Sequence, residues 1–126
     1  MSVTVCLAEE ALQRAVNYKI EGLYDEAIAQ FRSLLADHPD HALARMELGL
    51  VYGFVGLFDE SIEELQRAVA LQPEGLEVRQ HLAMTYCMLG MTEEARTEFG
   101  HVLELDPSNG DALQQLTYLD SCGQCL

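Results

Sequence analysis

The chain has 126 residues, 49% of them hydrophobic and 7% aromatic, with three Pro and no Trp, which is enough for one modest globular domain with its own core. It carries 21 acidic against 7 basic residues, a formal charge of −14, with Lys19 its one lysine. Nucleic-acid backbones and anionic leaflets are held by clustered Lys and Arg, so this balance makes DNA, RNA and acidic membranes poor partners, and the acidity serves solubility or a basic partner.

At the start, "MSVTVCLAEE" has no basic residue ahead of its apolar positions, and Glu9 and Glu10 follow at once, so it does not read as a secretory leader. The longest uncharged run, Leu48 to Phe58, falls well short of the ~20 residues that cross a bilayer. A cytoplasmic protein is expected. Its four cysteines (Cys6, Cys87, Cys122, Cys125) form no evenly spaced framework and are expected as thiols.

From Ala8 the chain falls into a period of 34 residues. "GLYDEAIAQF" at Gly22 returns as "GLFDESIEEL" at Gly56 and "GMTEEARTEF" at Gly90. Tyr18, Tyr52 and Tyr86 share a column, as do Pro39, Pro73 and Pro107, and Phe31, Leu65 and Phe99. Small residues hold two more columns: Ala15, Gly49, Ala83 and Ala27, Ser61, Ala95. A fixed period of this length marks a stacked repeat architecture.

Each of the three units, 8–41, 42–75 and 76–109, reads as a helical hairpin. In the second, Leu43, Met46, Leu50 and Phe54 keep helical spacing, then Ile62, Leu65 and Val69 do the same. Gly22, Gly56 and Gly90 stop the first helix, since Gly accepts the left-handed conformation of a helix C-terminus. Asp25, Asp59 and Glu93 supply the negative charge that the next helix's N-terminus favours. Each second helix ends ahead of a proline. Gly49 facing Ser61 permits close approach of two helix backbones. After Asn109, Leu113, Leu116 and Leu119 start another helix over 110–119, a cap whose Gln114, Gln115 and Asp120 are polar, and 120–126 remain as a tail.

These columns resemble the tetratricopeptide repeat family, whose unit carries Leu-Gly, Tyr, Ala, Phe and Pro at such spacings. Leu48-Gly49, Tyr52, Gly56, Ser61, Ala68 and Pro73 fall where that family expects them. Departures are Ala11, Arg45 and Arg79 where the family has an early Trp, Arg14 for a leucine, and Ser61 for Ala. The resemblance implies an all-α, right-handed solenoid of antiparallel hairpins with about seven helices in a single domain.

It also implies a concave groove lined by the first helices. Carried onto this chain, that groove takes Leu12, Val16 and Ile20, then Leu43, Met46, Glu47, Leu50 and Phe54, with Gly53 leaving space. Gln80, His81, Met84, Cys87 and Met88 follow, and Tyr118 from the cap. Such a surface, rich in Met, suits an apolar or amphipathic segment. Glu9, Glu47 and Glu77 favour basic residues beside its anchors. Relatives that grip acidic chaperone tails use Lys, Asn and Arg where this chain has Leu12, Val16, Glu47, Glu77 and His81, so that ligand is not expected.

A noncatalytic interaction module is therefore the expected function. The alternatives are a self-assembling homo-oligomer whose groove is filled by a neighbouring chain, and a small secretion-type chaperone. No cofactor or metal is expected. "CGQC" at Cys122–Cys125 has redox or half-zinc spacing but lacks a strand–helix setting and further ligands. "HPDH" at His38–His41 is a loop between repeats. His81 with Cys87 is a nucleophile–base pairing without an orienting third group. Phosphate-loop, G-x-S-x-G and H-E-x-x-H motifs are absent.

Overall fold

The computed structural model describes residues 3–122, with side chains for residues 7–121. Among the described residues all regular structure is helical: α1 (Val3–Ile20), α2 (Tyr24–Asp37), α3 (Ala42–Phe54), α4 (Phe58–Leu71), α5 (Leu76–Met88), α6 (Thr92–Leu105) and α7 (Gly110–Cys122). The first helix starts at Val3, so the stretch ahead of Ala8 continues into it without a break. The chain forms two compact units, one holding α1 to α4 and the other, from Gln72, holding α5 to α7.

The three hairpin turns close in one way. Gly22 N–H donates to Lys19 O at 3.0 Å and Leu23 N–H to Tyr18 O at 2.9 Å. The same pair recurs as Gly56 to Gly53 and Leu57 to Tyr52, and as Gly90 to Cys87 and Met91 to Tyr86. This Schellman arrangement requires a left-handed residue, and the glycines supply it at φ +79°, +83° and +74°. Between repeats the chain turns at proline. His41, Gly75 and Asn109 donate their N–H to the carbonyls of His38, Gln72 and Asp106 at 3.1, 2.9 and 3.0 Å, each turn carrying Pro at its second position, where φ is preset. Two of these turns also cap the helix that follows. His41 Nδ1 accepts from Ala44 N–H at 3.2 Å, and Asn109 Oδ1 from Ala112 N–H at 2.9 Å.

In the first unit α1 packs on α2, α2 on α3, and α3 on α4. Ala15, Ala27, Phe31, Leu34, Ala44, Leu48 and Val51 form its core, with Leu65 and Ala68 buried on α4. The small column works as the sequence suggests. Ser61 Oγ donates to Gly49 O at 2.7 Å, and a Cβ on Gly49 would lie 2.9 Å from Leu65 Cγ and 3.2 Å from Ser61 O. In the second unit Val78, Leu82, Ala83, Phe99 and Val102 form the α5–α6 core, and Ala112 and Leu119 of α7 are buried among the described residues. Leu113, counted with the cap's apolar residues from its spacing, stays 46% exposed.

Arginine takes over the place of the family's tryptophan. Arg45 Nε donates to Pro39 O at 2.9 Å while its Nη1 reaches Glu64 Oε2 at 2.8 Å. One period later Arg79 does the same, to Pro73 O at 2.7 Å and Glu98 Oε2 at 2.9 Å. Each guanidinium thus ties the inter-repeat turn to the far helix of its hairpin. The first hairpin has Ala11 in that position. There Arg14, one turn later, donates to Gln30 at 3.4 Å, and a shallow cavity of about 290 Å³ opens beside Ala8, Ala11 and Leu34.

Candidate functional site

In the first unit the groove residues implied by the resemblance divide into two sets. Leu12 and Val16 pack against the core cluster and are half-buried. Met46 is buried at 5% exposure, and Leu50 is half-buried, so neither offers the surface expected of an anchor. Glu47 is engaged by Lys19, with both side chains largely covered, so its charge is answered inside the molecule. The ends of the helices behave otherwise. Ile20 is 73% exposed and Phe54 60%, and Leu43 at the start of α3 is exposed too. Phe54 meets Tyr24 of the preceding hairpin, ring centroids 5.7 Å apart.

The second unit holds a cleft of about 360 Å³. Gln80, His81 and Met84 of α5 line one side, Asp111, Gln114 and Gln115 of α7 the other, and Phe99 of α6 contributes to its apolar lining. Three of the expected residues therefore share one concavity. Met88 is exposed and Tyr118 half-buried, and neither lines the cleft. Glu77 stands 3.7 Å from His81 Nε2 across one helical turn, an ion pair only when the imidazole is protonated. The α7 side was missed as lining, although the period contains it. Adding 34 to 77, 80 and 81 gives Asp111, Gln114 and Gln115.

Cys87 is disulfide-bonded, which corrects the expectation of free thiols. The chain's other cysteines, Cys6, Cys122 and Cys125, have side chains outside the described residues, and most of "CGQC" lies there too. A bonded sulfur is no nucleophile, so His81 has no thiol to activate at Cys87. Among the described residues no three His, Cys, Asp or Glu side chains are placed to hold a metal ion. His41 caps α3, and His38 is the C-cap residue of α2, its N–H bonded to Leu34 O. No described helix is long and apolar enough to cross a membrane.

One polar recess in the first unit shows an electrostatic effect. Tyr52, beside Arg32, Glu60, Glu63 and Glu64, has its phenol pKa raised above 10.0. Burial is the main cause; Arg32 opposes it and the three glutamates add to it.

The tetratricopeptide repeat family matches the chain at residues 21–75 and again at 55–117. No curated protein matches. The first repeat domain of Spaghetti (RPAP3) bound to the HSP90 peptide SRMEEVD superposes with a TM-score of 0.83 at 24% identity, over 90% of each chain. The second such domain of human RPAP3, in complex with the HSP70 peptide SGPTIEEVD, gives 0.83 at 22% identity, over 93% of this chain and 98% of that one. The Thermobaculum terrenum O-GlcNAc transferase gives 0.81 at 26% identity, over 94% of this chain but 23% of the transferase. At the identities of the two RPAP3 domains the likeness is one of fold.

Proposed function

The chain belongs to the tetratricopeptide repeat family, and from that membership we propose that it is a noncatalytic protein-interaction module. Its ligand is an extended peptide segment with an apolar anchor flanked by basic residues, held in the cleft between α5 and α7. The observation that carries this reading is the lining of that cleft. Met84 offers an apolar surface, and Gln80 and Gln114 bring side-chain amides that donate to and accept from a peptide backbone. The exposed carboxylates Glu77 and Asp111 belong to the same two helices and favour Lys or Arg beside the anchor.

Charge separates this ligand from those of the neighbours. The HSP90 and HSP70 peptides of the RPAP3 structures end in Glu-Glu-Val-Asp. Such a tail would meet Glu77 and Asp111 in place of cations, in a chain of net charge −14. Anisotropy titrations with two labelled peptides test the point: a short peptide with leucine between arginines, and SRMEEVD. The first is expected to bind and to weaken about ten-fold or more in Met84→Asp, the loss typical of a central anchor, while the second does not bind. Equal binding of both peptides, or an unchanged affinity in Met84→Asp, would overturn the proposal.

A further inference from the structure

We propose a second interaction surface, on the glycine turns of the first unit, whose occupant is an amphipathic helix with a basic margin. The two turns carry one pattern. An apolar residue ends the first helix, another follows the glycine, and two acids open the next helix: Ile20, Leu23, Asp25, Glu26 in one, Phe54, Leu57, Asp59, Glu60 in the other. Ile20 and Phe54 are 73% and 60% exposed, and Leu23 and Leu57 are exposed beside them. The Tyr24–Phe54 ring contact joins the two turns into one patch. A contiguous exposed apolar patch of this kind marks an interaction site.

These side chains are not remnants of the core. All four sit at Schellman positions or in the last helical turn, where the turn itself is made by main-chain bonds and glycine. The same bonds decide the partner's conformation. Gly22, Leu23, Gly56 and Leu57 have their N–H groups bonded within the turns, so the glycine turns themselves offer an extended strand no donor. A helix satisfies its own backbone and binds through side chains alone.

Charge decides the partner's composition. Glu21, Asp25, Glu26, Asp59 and Glu60 surround the apolar residues, all exposed, and among the described residues none is in an ion pair. A second copy of a chain carrying −14 is repelled here, as is an anionic bilayer. A helix whose apolar face is edged with Lys or Arg is attracted. Met88, Met91, Glu93 and Glu94 repeat the pattern at the turn of the α5–α6 hairpin, so each hairpin carries a copy of it.

The probe is an amphipathic helical peptide of leucine and lysine, with a leucine and glutamate counterpart, titrated by calorimetry into the full chain. The lysine peptide is expected to bind, the glutamate peptide not. Phe54→Ser/Leu57→Ser should weaken the lysine peptide about ten-fold or more, at a site that persists in Met84→Asp. Both substitutions fall on exposed side chains, and far-UV circular dichroism verifies that the helices persist. Asp25→Asn/Asp59→Asn, which removes charge only, should flatten the salt dependence of binding. Equal binding of both peptides, no effect of the turn variant, or a peptide-reversible dimer through this edge would overturn the proposal. Loss in Met84→Asp alone would overturn it too, and would assign the binding to the cleft.

Discussion

Arg79 allows a quantitative test, because the molecule contains its own control. Its guanidinium makes two charge-assisted hydrogen bonds, to Pro73 O at 2.7 Å and Glu98 Oε2 at 2.9 Å. The Arg79 and Glu98 side chains are 13% and 15% exposed. Arg67 and Glu63 approach more closely, at 2.6 Å, but at 53% and 58% exposure. If distance decided, Arg67 would contribute more. Burial decides instead: solvent screens the outer pair to about 0.5 kcal/mol or less, whereas breaking a fully buried pair costs about 3–5 kcal/mol. The Arg79 pair lies between these limits, and Arg79→Met, which keeps the aliphatic stem but loses both bonds, should cost about 2 kcal/mol. Urea unfolding of Arg79→Met, Glu98→Gln and their double variant gives the coupling, expected at about 1 kcal/mol or more, with the corresponding Arg67 and Glu63 cycle below about 0.5 kcal/mol. Salt at 1 M should erase the second coupling and leave most of the first. Equal couplings, or a larger one at Arg67, would refute the reasoning.

Two glycines in helices should respond oppositely to alanine. A Cβ at Gly100 meets nothing within 4 Å, so Gly100→Ala should raise stability by about 1 kcal/mol through helix propensity. At Gly49 the same Cβ would lie 2.9 Å from Leu65 Cγ, inside a closed core, so Gly49→Ala should lower stability by about 1–2 kcal/mol despite that gain. Thermal melts of the two variants measure both signs. Tyr52 sets an alkaline limit: the folded protein keeps its phenolic proton longer than the unfolded chain, so that stabilisation is complete below pH 10.0 and lost as the pH rises through the raised folded value. Denaturation at a series of pH values above neutrality should show a shallower alkaline decline in Tyr52→Phe. The difference in absorbance titration between the wild type and Tyr52→Phe should place the Tyr52 phenol's ionisation above pH 10.0.

The period made the hairpins legible, because each aligned column answers one geometric demand. Glycine at 22, 56 and 90 meets the need for positive φ, and Gly49 with Ser61 the need for close approach. Side-chain direction was less legible. Met46 and Ile20 both belong to first helices with helical apolar spacing, yet one is 5% and the other 73% exposed. An apolar stripe shows that a helix has a buried side, and does not show where that side ends. The far wall of the cleft was missed for another reason. Gln114 and Gln115 were assigned to a polar cap, although the register places them opposite Gln80 and His81. The arginine clamps lay hidden in what looked like drift. No single-residue preference announces that Arg45 and Arg79 would each find a turn carbonyl and a glutamate 19 positions on.

Those clamps bear on the acidity as well. Five of the seven basic residues, Lys19, Arg45, Arg67, Arg79 and Arg96, pair with carboxylates inside the molecule. Arg14 is turned to Gln30. A visiting chain therefore meets little positive charge and a large number of free acids, concentrated on the first turns of α2, α4 and α6. Those acids stabilise the helices they open, since a carboxylate there complements the helix dipole. On the proposed reading, the same arrangement selects basic partners. A repeat that holds its hairpins together with cations turned inward, and starts its helices with anions turned outward, presents the same electrostatic sign at every copy of the motif. Adding repeats then strengthens attraction for basic segments without altering the chemistry of any single hairpin.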